Sequence, residues 1–213
     1  MVVSDDLQSY LDEHISGLDP YLKEVERSTY VNELQPHMVS GIHQGMFLSM
    51  LVALKKPKYV LEIGTFTGFA AIALSKNLSI EGKVVTLEKD SEMAEKARKN
   101  ISASDFGTKI VQITGDAAIY LPQLLKEFVF EMAFIDADKT KNKDYYELLI
   151  NAMPAQSLIL IDNVLWKGRV VDQSINDTTT NSFRVLNEFI ARDPRVDACI
   201  LPIRDGIWMI QKK

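Results

Sequence analysis

The sequence contains a single cysteine, Cys199, and this scarcity limits the classes of protein it can belong to. One thiol cannot form an internal disulfide, so a disulfide-stapled secreted framework is excluded and a reducing compartment is favoured. Cys199 lies on an apolar run, residues 196–201, and we expect it to be a small core residue. The sequence therefore predicts a cytoplasmic protein.

Long apolar runs and an excess of positive charge are also missing. No continuous apolar stretch reaches the ~20 residues that a membrane-spanning helix needs. The segment 1–10 carries Asp5 and Asp6 and lacks the basic-then-apolar pattern of a secretion signal. The formal net charge is −5, whereas binding of nucleic-acid phosphates requires a basic face. We therefore expect neither a membrane nor a nucleic acid as a partner.

What is present is the composition of an ordinary folded domain. The 213 residues are 46% hydrophobic and 25% charged, which allows a core of normal size and gives no sign of disorder. We expect one domain over residues 1–213, with a helical N-terminal extension or cover (1–56) and a strand–helix core (57–213).

From Tyr59 onward, short apolar runs alternate with amphipathic helices. The predicted strands are 59–63, 83–87, 109–114, 132–135, 158–161, 197–201 and 207–210. Helices such as 91–104 and 179–192 separate the first six strands, which predicts a parallel sheet covered on both faces. Only residues 202–206 separate the last two strands, too few for a crossover helix, so this pair must be antiparallel. The expected fold is α/β: a doubly wound, Rossmann-like, seven-stranded sheet, mostly parallel, with an antiparallel C-terminal hairpin and N-terminal helices.

A glycine-bearing turn follows the first predicted strand, over residues 62–68. Gly64 and Gly68 allow the backbone to turn tightly and to approach a ligand before a helix that begins near Phe69. The third glycine of a dinucleotide fingerprint is missing, and so are the lysine and hydroxyl residue of a phosphate-binding loop. On the two glycines alone, a ligand site and an ordinary strand–helix turn are equally good interpretations.

Acidic residues end the neighbouring strands. Glu88 ends the second strand, where a carboxylate accepts hydrogen bonds from both hydroxyls of a ribose; the alternative is a solvated surface glutamate. Asp116 follows the third strand and could reach an adenine amino group, or cap the helix beginning at Ala117. Together with Glu62 and its glycines, these residues outline an adenosine ligand without phosphates.

A second polar set follows the fourth and fifth strands. Asp136 and Asp138 come after the fourth strand, and Asp162 and Asn163 after the fifth. Like charges so close are costly unless a cation joins them or one is protonated. Oxygen ligands of this kind suit Mg²⁺, which keeps positions for water or substrate. Helix caps or loop carboxylates would explain each residue singly but not their clustering, so we predict a metal site.

At this point the sequence resembles the cation-dependent O-methyltransferases of the caffeoyl-coenzyme-A and catechol type, from about Met38 to the C-terminus. The motifs that carry the resemblance are residues 61–68, 134–139, 162–168, 193–197 and 201–206. The first is shared by many methyltransferases, whereas the second and third together are much more specific.

The resemblance implies a class I methyltransferase that uses S-adenosylmethionine together with Mg²⁺ or another divalent cation such as Mn²⁺ or Ca²⁺. The implied metal ligands are Asp136, Asp162 and Asn163. The cofactor pocket is expected to be lined by Met38, Ser40, Glu62, Gly64, Thr65, Gly68, Ala70, Glu88, Asp116, Ala117, Asp136 and Asp138. A homodimer is also implied.

Lys139 matches the lysine usually given the role of base in that family, with Asp136 beside it as the second expected catalytic residue. The alternative is a solvated lysine in a charged loop with Lys141 and Lys143. Trp166 follows the metal motif and would either face a substrate ring or pack in the core.

Three positions depart from the family pattern. Ala70 stands where a serine is frequent, Met46 where a glutamine is common, and Arg204 where a glycine is common. None is a metal ligand, so the departures bear on cofactor affinity and substrate fit rather than on the chemistry.

The expected function is therefore metal-dependent transfer of the methyl group of S-adenosylmethionine to a hydroxyl of a small molecule with vicinal hydroxyls, such as a catechol. Two alternatives stay open: a non-catalytic S-adenosylmethionine-binding protein and a nicotinamide-dependent oxidoreductase. The missing third glycine and the antiparallel final hairpin disfavour the oxidoreductase, and the complete Asp136, Asp162 and Asn163 set disfavours a pure binding module.

Overall fold

The computed structural model describes residues 5–213, with only the backbone of Asp5. Residues 1–4, part of the segment 1–10 that lacks the pattern of a secretion signal, lie outside the described residues. The described chain divides into two compact units, residues 5–117 and 118–213. The single domain with a helical extension over 1–56 stays a prediction.

The first unit contains five helices and three strands among its described residues. They are α1 (Asp5–Glu13), α2 (Pro20–Asn32), α3 (Gly41–Lys55), β1 (Tyr59–Ile63), α4 (Phe69–Ser75), β2 (Lys83–Glu88), α5 (Ser91–Ala103) and β3 (Ile110–Thr114). β1 pairs in parallel with β2, and β2 pairs in parallel with β3. Helix α2 begins at Pro20, whose missing N–H costs nothing at a first helical position, and Asp19 caps it by accepting from the Tyr21 N–H.

The segment Pro36–Lys55 has the length and mean hydropathy, 1.2, of a membrane-spanning helix. Part of its apolar surface is buried, however: Leu48 and Val52 of α3 are fully buried, whereas Met50 and Leu54 are exposed. A Cβ added to Gly45 would lie 2.7 Å from the Phe69 ring, so α3 packs closely on α4 at this glycine. Packing on one face of the helix accounts for part of the apolar character of this segment.

The second unit carries the remaining elements. They are α6 (Ala117–Glu127, whose first residue ends the first unit), β4 (Met132–Ile135), α7 (Asn142–Ala152), β5 (Leu158–Ile161), α8 (Thr178–Ala191), β6 (Val196–Leu201) and β7 (Ile207–Lys212), with short 3₁₀ segments at Lys139–Lys141 and Trp166–Val171. β4 and β5 pair in parallel and are buried along their whole length. β7 pairs antiparallel with both β5 and β6.

The seven strands form one sheet in the order β3-β2-β1-β4-β5-β7-β6. The sheet is mixed, with antiparallel pairing at its C-terminal strands, and the predicted α/β fold class is confirmed. The predicted strands agree with the structure to within two residues at each end.

The expectation that Cys199 is a core residue is wrong, because its side chain is exposed. It lies on β6, the last strand of the sheet order, which has a neighbour on one side only. Asp197 and Ala198 beside it are exposed as well. The apolar run was interpreted as buried, but an edge strand leaves much of its surface in water.

Candidate active site

The glycine turn of the first unit connects β1 to α4. Gly64 has a φ of 102° and donates its N–H to the Leu87 carbonyl at 2.9 Å. Gly68 has a φ of 87°, and a Cβ added there would lie 3.2 Å from Ile101 Cγ1. Since L side chains rarely adopt such φ angles, both glycines are needed for the tight turn that the sequence predicts.

The carboxylate of Glu62 is fixed at the end of β1. Its side chain is fully buried and accepts a hydrogen bond from the Thr86 hydroxyl of β2. The Thr86 hydroxyl also lies 2.6 Å from the Thr65 hydroxyl in the turn. Burial of a carboxylate is less costly where it accepts hydrogen bonds, and this chain of hydroxyls links Glu62 to the turn.

Glu88 is tied to the same turn. One oxygen of its carboxylate accepts the Phe66 N–H at 2.8 Å, and the other accepts the Asp90 N–H at 2.9 Å. The alternative of a freely solvated surface glutamate therefore does not hold. Sequence reasoning missed this backbone role, because Phe66, with a φ of 48°, gives no turn signal in the sequence.

Asp116 follows β3 and directly precedes α6, with its carboxylate 3.8 Å from Lys89 Nζ. Glu62, Glu88 and Asp116 thus lie at the carboxyl ends of three adjacent parallel strands of the first unit. Ligands bind at this edge in open α/β sheets, so the position agrees with the expected adenosine site, which stays a prediction.

Several other residues expected at the cofactor lie in the first unit, whereas Asp136 and Asp138 lie in the second. Met38 is half-exposed, Ser40 is buried just before α3, and Ala70 and Ala117 are buried at the starts of α4 and α6. Their roles in cofactor binding stay predictions.

In the second unit, the register of β4 and β5 places Asp136 beside Asp162. Ile135 pairs with Ile161, and the Asp162 N–H donates to the Ile135 carbonyl at 3.0 Å. The next residues along the two strands are Asp136 and Asp162, and adjacent strands lie ~4.8 Å apart. The side chain of Asp162 is buried, so a charged oxygen faces little water here.

Asn163 turns the chain out of the sheet. Its backbone is left-handed, with a φ of 61°, a conformation that asparagine tolerates better than most residues. Its N–H donates to the Asp162 carboxylate at 2.7 Å. Trp166 and Lys167 also have positive φ angles, 47° and 54°, so the segment after the strand is sharply bent.

The β6–β7 turn supports this bent segment. The N–H groups of Val164 and Leu165 donate to the carbonyls of Gly206 and Asp205 at 3.1 and 2.9 Å. The Asp205 carboxylate accepts the Lys167 N–H, and partial burial raises the pKa of that carboxyl, opposed by this hydrogen bond. Sequence reasoning missed both turn residues as supports of the site.

Lys139 is paired with Asp136 in an ion pair, and both side chains are about four-fifths buried. The alternative of a solvated lysine in a charged loop therefore does not hold for Lys139. Asp138 instead caps the 3₁₀ segment, accepting from the Thr140 N–H at 3.1 Å and its hydroxyl at 2.7 Å.

Trp166 packs on Phe183 of α8, with ring centroids 5.3 Å apart. Its indole Nε1 is buried and has no hydrogen-bond partner among residues 5–213. This position favours the packing alternative for the ring.

The donor set of the second unit fits a divalent cation. Among residues 5–213, no three His, Cys, Asp or Glu side chains are grouped as metal ligands. The expected ligand set Asp136, Asp162 and Asn163 is not a group of that kind, since it has two carboxylates and one amide. Such a set suits an ion that keeps several coordination positions for water or substrate. The ion pair with Lys139 shows that the Asp136 carboxylate accepts a positively charged partner.

Comparison with known proteins decides the family. The model of the O-methyltransferase family matches residues 12–213. The chain belongs to the O-methyltransferase family. This membership favours methyl transfer over the nicotinamide-dependent alternative.

Curated relatives carry names from the same group. This O-methyltransferase is 35% identical to a catechol O-methyltransferase of Niastella koreensis over 161 residues, 75% of this chain and 73% of that protein. It is 32% identical to a probable caffeoyl-CoA O-methyltransferase of Dictyostelium discoideum, over 98% of this chain and 92% of the other.

Solved structures agree in fold. An O-methyltransferase from Bacillus cereus in complex with SAH superposes with a TM-score of 0.89 at 33% identity, covering 98% of this chain and 97% of that one. The predicted enzyme class, an S-adenosylmethionine-dependent O-methyltransferase of the caffeoyl-coenzyme-A and catechol type, is confirmed at the level of the family.

Proposed function

We propose that this O-methyltransferase methylates one hydroxyl of a small molecule with two vicinal hydroxyls, using a divalent cation held by Asp136, Asp162 and Asn163. The observation that carries the proposal is the β4–β5 register. In support, Asp136 and Asp162 directly follow the paired ends of two adjacent buried strands, and the Asp162 side chain has little access to water.

The expected site residues have two separate roles, binding the cation and accepting a proton. Asp136, Asp162 and Asn163 would supply three oxygen ligands, and the bent segment after Asn163 fixes the third. A cation bound there would favour the anionic form of a phenolic hydroxyl, whose pKa is ~10 when free.

Lys139 is proposed to take the proton of the acceptor hydroxyl. For this step Lys139 would act as the neutral amine, with its own proton already released to water; in this structure it lies in an ion pair with Asp136.

Glu62, Glu88 and Asp116 are proposed to hold the adenosine part of S-adenosylmethionine. In support, the turn donates its Phe66 N–H to Glu88, and the Thr86 hydroxyl, itself in contact with the Thr65 hydroxyl, donates to Glu62, so these two carboxylates are already oriented. Such preorganisation lowers the entropic cost of ordering the site when the cofactor binds.

The catechol-like acceptor is supported by relatives named for catechol and caffeoyl-CoA methylation. The chemistry that these acceptors share is a pair of adjacent oxygens able to bind one cation together. The expected homodimer and cytoplasmic location stay predictions.

The test is a screen with labelled S-adenosylmethionine against a panel of catechols, catechol esters of coenzyme A and single phenols, with Mg²⁺ and with EDTA. We expect label transfer to vicinal diols only, and its loss in EDTA. Asp162→Ala should abolish transfer while retaining binding of S-adenosylhomocysteine; exposed Asp197→Asn is the matched control. Cofactor binding without transfer to any acceptor would favour a non-catalytic binding protein.

A further inference from the structure

We infer that Arg184 and Asn187 of α8 are positioning residues that set the shape of the segment 164–175, here called the acceptor loop, and thereby acceptor recognition. The inference rests on the proposed function, because the loop begins directly after the expected metal ligand Asn163. Neither residue belongs to the cofactor or metal set.

The guanidinium of Arg184 donates hydrogen bonds to four backbone carbonyls of the acceptor loop. It donates to the backbone oxygens of Arg169 at 3.1 Å, Val170 at 3.0 Å, Ile175 at 2.8 Å and Asp172, and to the Asn181 side-chain oxygen at 3.0 Å. Five acceptors converge on one side chain, and four of them are backbone groups of the same short loop.

The acceptor loop needs hydrogen-bond donors from another element, because its own helical hydrogen-bond pattern is interrupted. Lys167 and Gly168 have φ angles of 54° and 75°, which break the 3₁₀ segment at Trp166–Val171 in two. Carbonyl groups freed by such a break must find other donors. Arginine offers five N–H donors in a planar fork, whereas lysine offers three on a single nitrogen.

Asn187 lies three residues after Arg184, on the same face of α8. Its amide donates to the Val164 carbonyl at 2.8 Å, and its oxygen accepts from the Trp208 indole of β7 at 2.7 Å. Arg184 therefore holds the far end of the acceptor loop, and Asn187 holds its beginning, next to Asn163.

Other contacts hold different parts of the loop. The β6–β7 turn accepts the N–H groups of Val164, Leu165 and Lys167 at its beginning. Further along, the ion pair of Arg169 with Asp177 is 41% exposed on both sides, and exposed pairs contribute little to stability. Arg184 is therefore the main side-chain restraint on residues 169–175 among the described contacts.

The experiment compares Arg184→Gln, Arg184→Lys and Asn187→Asp with the wild-type enzyme. Asn187→Asp keeps the acceptor for Trp208 but loses the donor to Val164. The matched control is Arg192→Gln, directly after the last residue of the same helix, since Arg192 forms an exposed ion pair with Glu188. Hydrogen exchange of the loop amides, affinity for S-adenosylhomocysteine, and KM and kcat for a catechol are measured for each protein.

We expect faster exchange confined to residues 164–175 in the three variants. KM for the acceptor should rise about tenfold in Arg184→Gln, with a smaller change in kcat. Affinity for S-adenosylhomocysteine should change less than twofold, and Arg192→Gln should match the wild type. Arg184→Lys should lie between Arg184→Gln and the wild type, because its ammonium offers three donors where the guanidinium offers five.

Unchanged exchange of the loop in Arg184→Gln would overturn the inference, whatever the activity. An equal rise in exchange over the whole second unit would also overturn it, since the residue would then stabilise the fold and not the loop. If Arg184→Gln is unstable, the exchange of the loop amides in Arg184→Lys and Asn187→Asp tests the inference by the same criteria. If the wild type transfers no methyl group, the proposed function fails, while the exchange result still decides whether α8 holds the loop.

Discussion

Gly206 lies directly against Leu165: a Cβ added to Gly206 would come within 2.4 Å of Leu165 Cγ. The same glycine accepts the Val164 N–H through its carbonyl and has a φ of 84°. The β6–β7 turn therefore touches the segment after the expected metal ligands, and a methyl group at this contact has no space.

Gly206→Ala is expected to destabilise the protein by more than the ~1–2 kcal/mol cost of a left-handed alanine alone, because Leu165 must also move. Thermal and urea unfolding measure the loss. Gly17→Ala is the control, since Gly17 has a φ of 73° but nothing within 4 Å of the added carbon. Equal losses for the two variants would contradict the close contact at Leu165.

Thr86→Val should weaken cofactor binding. The substitution keeps the shape of the side chain but removes the hydroxyl that donates to buried Glu62 and contacts Thr65. Leaving a buried carboxylate short of a donor costs about 1–3 kcal/mol, so affinity for S-adenosylhomocysteine, measured by calorimetry, should fall together with stability. Thr86→Ser retains the hydroxyl and should restore most of both; a serine variant as weak as the valine variant would show that the methyl group matters instead.

The sequence predicted the sheet and its final hairpin well, because strand–helix alternation and the short 202–206 gap leave few alternatives. It also predicted that acidic residues would follow the strands, since the ends of apolar runs are visible in the sequence. The placement of Asp136 beside Asp162 then follows from parallel pairing of β4 and β5.

Long-range supports could not be predicted in the same way. The hydrogen bonds from Arg184 to several loop carbonyls depend on the direction of the backbone in an irregular loop. The hydrophobic periodicity of the sequence does not predict that direction. The exposure of Cys199 depends on which strand ends the sheet, and an apolar run looks the same at the centre and at the edge.

Asp193→Asn is expected to remove an acid-sensitive part of stability. The Asp193 carboxylate accepts from Arg195 at 2.6 Å and from the Tyr146 hydroxyl at 2.9 Å, and mainly the arginine lowers its pKa to about 2. A lowered pKa stabilises the fold above the unfolded pKa near ~4 and loses this contribution as the pH falls toward 2. The loss in the variant at pH 7 should be about 2 kcal/mol.

Unfolding of wild type and Asp193→Asn between pH 2.5 and 7 checks this expectation. The difference in free energy of unfolding should shrink below pH 4. Asp197→Asn, which loses only an exposed pair with Lys213, should differ little from wild type at any pH. A difference for Asp193→Asn that stays constant down to pH 2.5 would contradict the role of the charge.

Cys199 should react in the folded enzyme. Since its side chain is exposed on edge strand β6, a chromogenic disulfide reagent is expected to titrate one thiol per chain without denaturant. Modification should leave affinity for S-adenosylhomocysteine unchanged, because the thiol is not among the expected site residues. Reaction only after unfolding would place the thiol in the interior or under a partner surface.

The most direct test of the metal-dependent account is a back-titration of metal-depleted enzyme with Mg²⁺, following methyl transfer from labelled S-adenosylmethionine to a catechol. We predict no transfer above background without the ion, recovery that saturates with one ion bound per chain, and no recovery in Asp162→Ala at any Mg²⁺ concentration. Full turnover by the metal-depleted enzyme, with the same rate before and after Mg²⁺ is added, would contradict it.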